Sequence, residues 1–285
     1  MIGLADLRRL DAAVRDQLDE VMAVLEVEQG RKSTGAVVRR RAWKNLVFAG
    51  GPGSGKSHAA VAVGQAYRKL GVLTSGHVIE AAAGELTGDR PGETAALLAG
   101  AIKPAGGGIL LINTAHDWQR LPDRGQQVLG HLYRQLTVCR RERGDDLAVI
   151  LSGQDEPLRK LLQANPPLAA RFRAVVEFPG FGSAQLSAIF GTLAEEAGLR
   201  LTVGAGRKAA AVLAEAEDGL RSGNARLAVR LLNQAVARQA RRVAGASSRG
   251  PDLAVLSTIT EEDIPERLLS DETPPDEDWP GGLYL

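Results

Sequence analysis

The sequence predicts an α/β protein in which a parallel sheet of five strands is followed by a small all-helical domain. Five short apolar runs are separated by helical stretches, and they occupy residues 46–49, 77–79, 109–112, 147–151 and 175–178. Such alternation is typical of a parallel sheet covered by helices on both faces. After Phe178 the apolar spacing becomes helical throughout, in segments 186–197, 209–217 and 225–243.

The composition is that of a globular protein, with 285 residues of which 44% are hydrophobic. We predict an N-terminal amphipathic helix and linker over 1–35, an α/β domain over 36–182 and a helical domain over 183–268. The remainder, 269–285, is acidic and proline-rich, which favours a disordered tail over a docking peptide. In the helical domain, Thr260 is predicted to cap a helix start at Glu261.

The charge pattern argues against nucleic-acid and membrane partners, because 35 basic and 34 acidic residues leave a net charge of +1. The arginine-rich runs at 39–41 and 140–143 are short and lack aromatic neighbours, which favours solvated edges or subunit contacts over nucleic-acid contacts. Cys139 is the single cysteine, and no leader or membrane-spanning segment is evident, so the expected location is the cytoplasm. The four scattered histidines predict no structural metal.

The N-terminal region predicts an amphipathic helix, because apolar residues recur at steps of three and four. They are Leu4, Leu7, Leu10, Val14, Leu18, Val21 and Leu25. A coiled coil needs more heptads than this stretch contains, so docking onto the following domain is the favoured interpretation.

The segment at 50–57 matches the phosphate-binding loop G-x-x-x-x-G-K-[ST] and follows a strand-like run and precedes a helical one. The predicted nucleotide-binding residues are Gly50, Gly51, Pro52, Gly53, Ser54, Gly55, Lys56, Ser57 and His58. Glycines allow backbone N–H groups to surround phosphates, the lysine reaches the terminal phosphates, and Ser57 is expected to ligate Mg²⁺. We therefore predict a P-loop NTPase core that binds ATP or ADP with Mg²⁺.

Further strings resemble the CbxX/CfxQ-like group of AAA+ ATPases, which includes a red-type Rubisco activase, a sporulation protein and ATPases of type VII secretion. In chain order they occupy residues 2–4, 46–57, 92–94, 165–172, 178–179 and 223–226, so the resemblance covers roughly residues 1–266. It implies an AAA+ α/β domain followed by a helical lid, a site between neighbouring subunits, and an oligomeric ring.

The resemblance also implies roles for three polar residues. Arg171 would be the arginine finger that reaches the nucleotide of the next subunit in trans. Arg226 would be the sensor arginine of the lid, and Gln154 would be the polar sensor that follows the fourth strand. For Arg171 the alternative is an ordinary surface salt bridge, and for Gln154 it is likewise an ordinary surface role.

The chain departs from the family pattern at Asn113 and Thr114, where an aspartate and a glutamate are expected. Asn113 can offer only a neutral carbonyl to Mg²⁺, and Thr114 cannot take a proton from water near neutral pH, so this degenerate Walker B predicts slow or absent hydrolysis. Asp117 could replace the missing base, although capping of the next helix is favoured for it. At Arg90 the peptide-threading members carry an aromatic residue, so threading of generic polypeptides is not expected.

Three functions are compatible with these observations. The favoured one is a pseudo-ATPase whose bound nucleotide sets assembly or partner binding, as a homo-oligomer or beside an active AAA+ relative. The second is an active AAA+ ATPase that remodels a protein complex. A small-molecule P-loop kinase fits the loop but not the lid strings.

Overall fold

The computed structural model describes residues 11–34, 44–90, 92–114, 122–142, 146–172, 174–219, 224–246 and 253–268. They belong to two compact units, Met1–Pro179 and Gly180–Leu285. Several predictions lie outside the described residues: Leu4, Leu7 and Leu10 of the N-terminal helix, the arginine run at 39–41, Asp117 and the acidic tail.

The first unit contains a parallel sheet whose strands lie in the order β2-β3-β4-β1-β5. Its described elements are α1 (Ala12–Ser33), β1 (Leu46–Gly50), α2 (Lys56–Lys69), β2 (Val78–Ala82), α3 (Glu93–Ile102), β3 (Ile109–Asn113), α4 (Pro122–Glu142), β4 (Ala148–Gly153), α5 (Asp155–Gln163), α6 (Pro166–Ala169) and β5 (Ala174–Phe178). The prediction of a five-stranded parallel sheet is confirmed. Four strands begin and end within two residues of their predicted apolar runs, and β2 extends three residues beyond its run.

The strand order places β1 at the point where ligands bind in sheets of this kind. β1 lies between β4 and β5, and the chain leaves it for β2 on the far side of β4. All strands are parallel, so their carboxyl ends share one edge, and the crevice at the position where the chain changes direction is the usual ligand site. The loop after β1 therefore lies at that site.

Helix α1 packs against the sheet, as the docking interpretation predicted. Its residues Val14 and Leu18 are buried in the same cluster as Leu46 and Phe48 of β1. On the opposite side of the sheet, a second apolar cluster includes residues of α3, α4 and α5. A sheet buried on both faces explains why its central strands read as continuous apolar runs rather than alternating ones.

The carboxamide of Gln17 on α1 also protects the exposed edge of the sheet. Its Nε2 donates to the backbone oxygen of Glu177 at 3.3 Å, and its Oε1 accepts from the backbone N–H of Glu177 at 2.9 Å. One side chain thus pairs both backbone groups of an edge-strand residue, which would otherwise be open to another strand.

The second unit is mainly helical, as predicted. Its described elements are α7 (Ser183–Glu196), β6 (Arg200–Leu201), α8 (Val203–Gly219), α9 (Ala225–Ala246), α10 (Leu253–Leu256), β7 (Thr258–Ile259) and a 3₁₀-helix (Glu261–Asp263). The structure also contains a parallel pair of strands that the sequence did not predict, β6 with β7. Each of these strands has two residues, which is too short for alternation of apolar and polar residues to show in the sequence.

A buried ion pair joins the end of the second unit to α9. Asp263 is 1% exposed, and both of its carboxylate oxygens accept from Arg242 at 2.8 Å. The same carboxylate accepts from the backbone N–H and the hydroxyl of Thr260. The helix start predicted at Thr260 is therefore a 3₁₀ turn that Asp263 stabilises.

Among the described helices, none is long and apolar enough to cross a bilayer.

Candidate functional site

The phosphate-binding loop connects β1 to α2, and its glycines satisfy identifiable backbone constraints. A Cβ atom on Gly50 would lie 2.5 Å from the backbone oxygen of Phe178, its partner on β5. Gly53 and Gly55 have φ of 70° and 89°, in the left-handed region that disfavours side chains. The sequence folds into this loop because three of its glycines occupy positions that other residues would strain.

Lys56, the first residue of α2, extends across the loop. Its Nζ donates to the backbone oxygens of Gly50 at 2.9 Å and Gly51 at 2.6 Å, and lies 3.3 Å from Ser54 Oγ. Ser54 is 2% exposed and donates to the Gly51 oxygen at 2.8 Å. The ammonium charge is therefore held directly above the backbone of the loop.

These groups fit the phosphates of a nucleotide. Helix α2 begins directly after Gly55, so the positive end of its dipole faces the loop. No side-chain hydrogen bond caps this end of the helix. A helix N-terminus, a glycine loop and a lysine are the groups that bind phosphate in P-loop proteins. Pro52 and His58 lie in the same loop and first helical turn, and both are partly exposed.

Ser57 of this site contacts an acidic residue on β2. It is exposed, and its hydroxyl donates to Oε1 of Glu80 on β2 at 3.4 Å. Sequence reasoning missed Glu80, although an acid interrupting the run of strand β2 was the signal that could have found it. Among the described residues there is no cluster of three or more His, Cys, Asp or Glu that could hold a metal alone.

Asn113 ends β3 at the same edge of the sheet. It lies between Ala82 of β2 and Ser152 of β4, and it is partly exposed. It shares its face of the sheet with Leu111, which belongs to the core on the α2 side. Its amide can offer an oxygen toward a cation but no negative charge.

Thr114 follows Asn113, and its side chain is buried in the protein interior. It is 6% exposed, its N–H donates to the Ser152 oxygen at 2.7 Å, and its hydroxyl donates to the same oxygen at 2.9 Å. A Cβ on Gly153 would collide with the Thr114 hydroxyl, which shows how closely β4 passes this side chain. Thr114 is thus a buried, hydrogen-bonded alcohol, and its assignment to a degenerate Walker B stays a prediction.

Gln154 lies just past β4 and forms the N-cap position of α5, with φ −71° and ψ 146°. β4 neighbours β1, so Gln154 lies at the same carboxyl edge as the loop. Its assignment as a sensor stays a prediction.

Arg171 lies just after α6 and is partly buried against α4. Its Nη2 donates to Thr137 Oγ1 at 3.2 Å, and its guanidinium carbon lies 5.3 Å from the centroid of the Tyr133 ring. The ring and the hydroxyl restrict the position of the guanidinium. Its role as an arginine finger stays a prediction.

Arg226 lies in the first turn of α9 and is exposed. The preceding Asn224 has φ of 44°, and its Oδ1 accepts from the N–H of Phe181 at 3.0 Å, which fixes the start of the helix. Arg90 is exposed, and its N–H donates to Oε2 of Glu93 at 3.0 Å. The roles predicted for Arg226 and Arg90 likewise stay predictions.

Comparison with known proteins gives a consistent set of similarities. Residues 182–274 match the model of the AAA lid domain. Protein CbbX of Cereibacter sphaeroides is 32% identical over 255 residues, which span 88% of this chain and 81% of that protein. Stage V sporulation protein K of Bacillus subtilis is 29% identical over 198 residues, spanning 69% of this chain and 58% of that protein.

Two further similarities extend the comparison to an activase and to a solved structure. The chloroplastic ribulose bisphosphate carboxylase/oxygenase activase of Cyanidioschyzon merolae is 27% identical over 251 residues, or 88% of this chain and 85% of that protein. A solved structure of a RuvB mutant from Thermotoga maritima superposes with a TM-score of 0.51 at 18% identity, covering 90% of this chain and 69% of that one. The latter similarity supports the fold alone.

Proposed function

The chain belongs to the CbbX/CfxQ group of AAA+ ATPases, and from this premise we propose that it binds ATP or ADP while hydrolysing ATP slowly or not at all. Its bound nucleotide would then control assembly or partner binding. The observation that carries this proposal is the hydrogen bond from the hydroxyl of Thr114, the residue that the family resemblance aligns with a general base, to the backbone oxygen of Ser152. The membership itself implies a nucleotide-dependent regulatory role, as the named activase relative illustrates.

Nucleotide binding is supported by the geometry of the loop. Lys56 and the N-terminus of α2 supply positive charge, and the loop glycines leave room for phosphate oxygens. Mg²⁺, when bound with the nucleotide, would be held by Ser57 and neutralise phosphate charge. Asn113 is a weaker candidate ligand because its amide is uncharged.

Weak hydrolysis is supported by the chemistry of Thr114. An alcohol is a poor base near neutral pH, and this one already donates its proton to a backbone oxygen. Loss of a positioned general base typically costs about 10²- to 10⁴-fold in rate, or roughly 3–5 kcal/mol of barrier. Binding does not need this base, so the site can retain its ligand while losing turnover.

A site that binds nucleotide without hydrolysing it can still control the assembly of subunits. AAA+ relatives use nucleotides at subunit boundaries, and Arg171 is held by Tyr133 and Thr137 in a defined position. We propose a homo-oligomeric ring, or a mixed ring in which Arg171 acts on the nucleotide of an active relative. The single cysteine, Cys139, supports a location in the cytoplasm.

An active ATPase that remodels a protein complex is the second candidate, and the 32% identity to CbbX favours it. It requires a base other than Thr114. Titration with ATP and ADP followed by phosphate release separates the two proposals. Tight binding with release no faster than that of Lys56→Ala supports a pseudo-ATPase, whereas sustained Lys56-dependent release supports the active enzyme.

A further inference from the structure

Glu80 is an acidic residue whose carboxylate contacts Ser57 of the phosphate-binding loop. It lies in the middle of β2, is exposed, and accepts from the Ser57 hydroxyl at 3.4 Å. Ser57 is the hydroxyl expected to contact Mg²⁺ in a P-loop protein. No known motif of the loop itself accounts for a carboxylate at this position.

The sheet register shows that Glu80 faces the same space as the end of β3. Ala82 pairs with Asn113, and Glu80 precedes Ala82 by two residues, so the side chains of Glu80 and Asn113 project from one face. That face carries Leu111, which packs with α2, the helix that contains Ser57. The family pattern expects an aspartate at Asn113 on β3. The carboxylate of Glu80 instead lies on β2, the neighbouring edge strand.

Oxygen chemistry makes this pair of residues suitable for the cation. Mg²⁺ prefers oxygen ligands and is usually bound by one or two carboxylates together with the phosphates of its nucleotide. Ser57 supplies a hydroxyl and Asn113 an uncharged amide, so neither contributes negative charge. Glu80 contributes one full charge beside Ser57.

We propose that Glu80 is the residue that supplies negative charge to the nucleotide-associated Mg²⁺, replacing the acid that is absent at Asn113. The inference rests on the proposed nucleotide binding and deepens it. It explains how the chain can keep Mg²⁺-dependent binding after losing the β3 acids, since the charge needed for binding comes from β2. The charge needed for proton abstraction has no such substitute at Thr114.

A purely local role for Glu80 makes a different prediction. An exposed hydroxyl–carboxylate contact on an edge strand contributes little to folding. If that contact were all that Glu80 did, its replacement would change neither stability nor the effect of Mg²⁺. The measurement must therefore compare nucleotide affinity with and without the cation.

The experiment is a titration of the full chain with fluorescent ADP and with ATP, in Mg²⁺ and in EDTA. For Glu80→Gln we expect the ratio of the two affinities to fall by about 10- to 100-fold, the usual effect of removing an acid that supports a metal. Affinity in EDTA should stay unchanged. Glu85→Gln is the matched control, because Glu85 is an exposed acid on the next turn that accepts from the Ala82 N–H, a bond that glutamine can retain.

A second variant tests whether charge at this face is what matters. Asn113→Asp in the Glu80→Gln background should restore the Mg²⁺ effect, since both positions face the same space. Equal Mg²⁺ dependence in the wild type and Glu80→Gln would overturn the inference while leaving nucleotide binding intact. A wild type that binds nucleotide equally well in EDTA would overturn it too, and a wild type that binds neither nucleotide would overturn the proposed function itself.

Discussion

Replacing Thr114 with valine removes one buried hydroxyl and keeps the branched shape of the side chain. The hydroxyl donates to the Ser152 oxygen at 2.9 Å, but the N–H of Thr114 donates to the same oxygen at 2.7 Å. The acceptor therefore keeps a partner in the variant. The expected cost is that of one net hydrogen bond, about 0.5–1.5 kcal/mol, without the larger penalty for an orphaned polar group.

That free energy corresponds to a fall in Tm of about 1–6 °C, at roughly 2–4 °C per kcal/mol for a unit of this size. Thermal unfolding followed by circular dichroism measures it, with Thr34→Val as the control because Thr34 is exposed at the end of α1. The control should shift stability by less than about 0.5 kcal/mol. ATP affinity and phosphate release should be the same in Thr114→Val as in the wild type. Unchanged thermal stability in Thr114→Val would refute the structural role of this hydroxyl.

The remaining predictions concern the loop, the finger and the second unit. Lys56→Ala should weaken ATP binding by about 10- to 150-fold, the effect of losing a charged hydrogen bond of about 1.5–3 kcal/mol, and calorimetry should show no such loss in Lys69→Ala at the exposed end of the same helix. Arg171→Ala should abolish ATP-dependent assembly, measured by mass photometry, while leaving the ATP affinity of the single subunit unchanged; normal assembly would remove Arg171 from the interface. Asp263→Asn should lower the stability of the second unit by about 1–3 kcal/mol at pH 7, because it breaks the pairing with Arg242, and unfolding curves that keep their acid sensitivity in this variant would contradict the assignment below.

The pH dependence of the second unit follows from the sign of the shift at Asp263. Burial raises the pKa of this carboxyl, but hydrogen bonds from Arg242 and Thr260 outweigh burial and bring the pKa below its usual value. A lowered folded-state pKa contributes stability that is present above the unfolded value of about 3.9 and is lost as the pH falls through the folded pKa. Wild-type stability should therefore fall below about pH 4 by an extra increment that Asp263→Asn lacks.

The sequence predicted the sheet well because its signals were local. The central strands β1, β3 and β4 are buried apolar runs, and the loop at Gly50–Ser57 has fixed spacing that backbone geometry demands. The small pair β6–β7 was missed because two residues cannot show alternation. The packing of α1 was predictable from its apolar stripe, whereas the pairing of Gln17 with Glu177 joins residues that are 160 positions apart.

The site was predictable only in part, for the same physical reason. The residue types alone show that Asn113 and Thr114 lack acidic groups. The hydrogen bond between Thr114 and Ser152, however, depends on the register of β3 against β4, which the sequence does not reveal. Glu80 required the sheet register as well, because its contact with Ser57 crosses 23 residues of sequence. Both contacts depend on how strands pair across the sheet, and residue types alone do not reveal that pairing.

Steady-state phosphate release from the purified full chain, measured beside Lys56→Ala at saturating ATP and Mg²⁺, tests the central claim most directly. Binding of ATP should be clear in the wild type, and its phosphate release should not exceed that of the variant. Sustained release at about 1 s⁻¹ or faster, within the range of ordinary enzymes and lost on Lys56→Ala, would contradict the claim that this site holds nucleotide without consuming it.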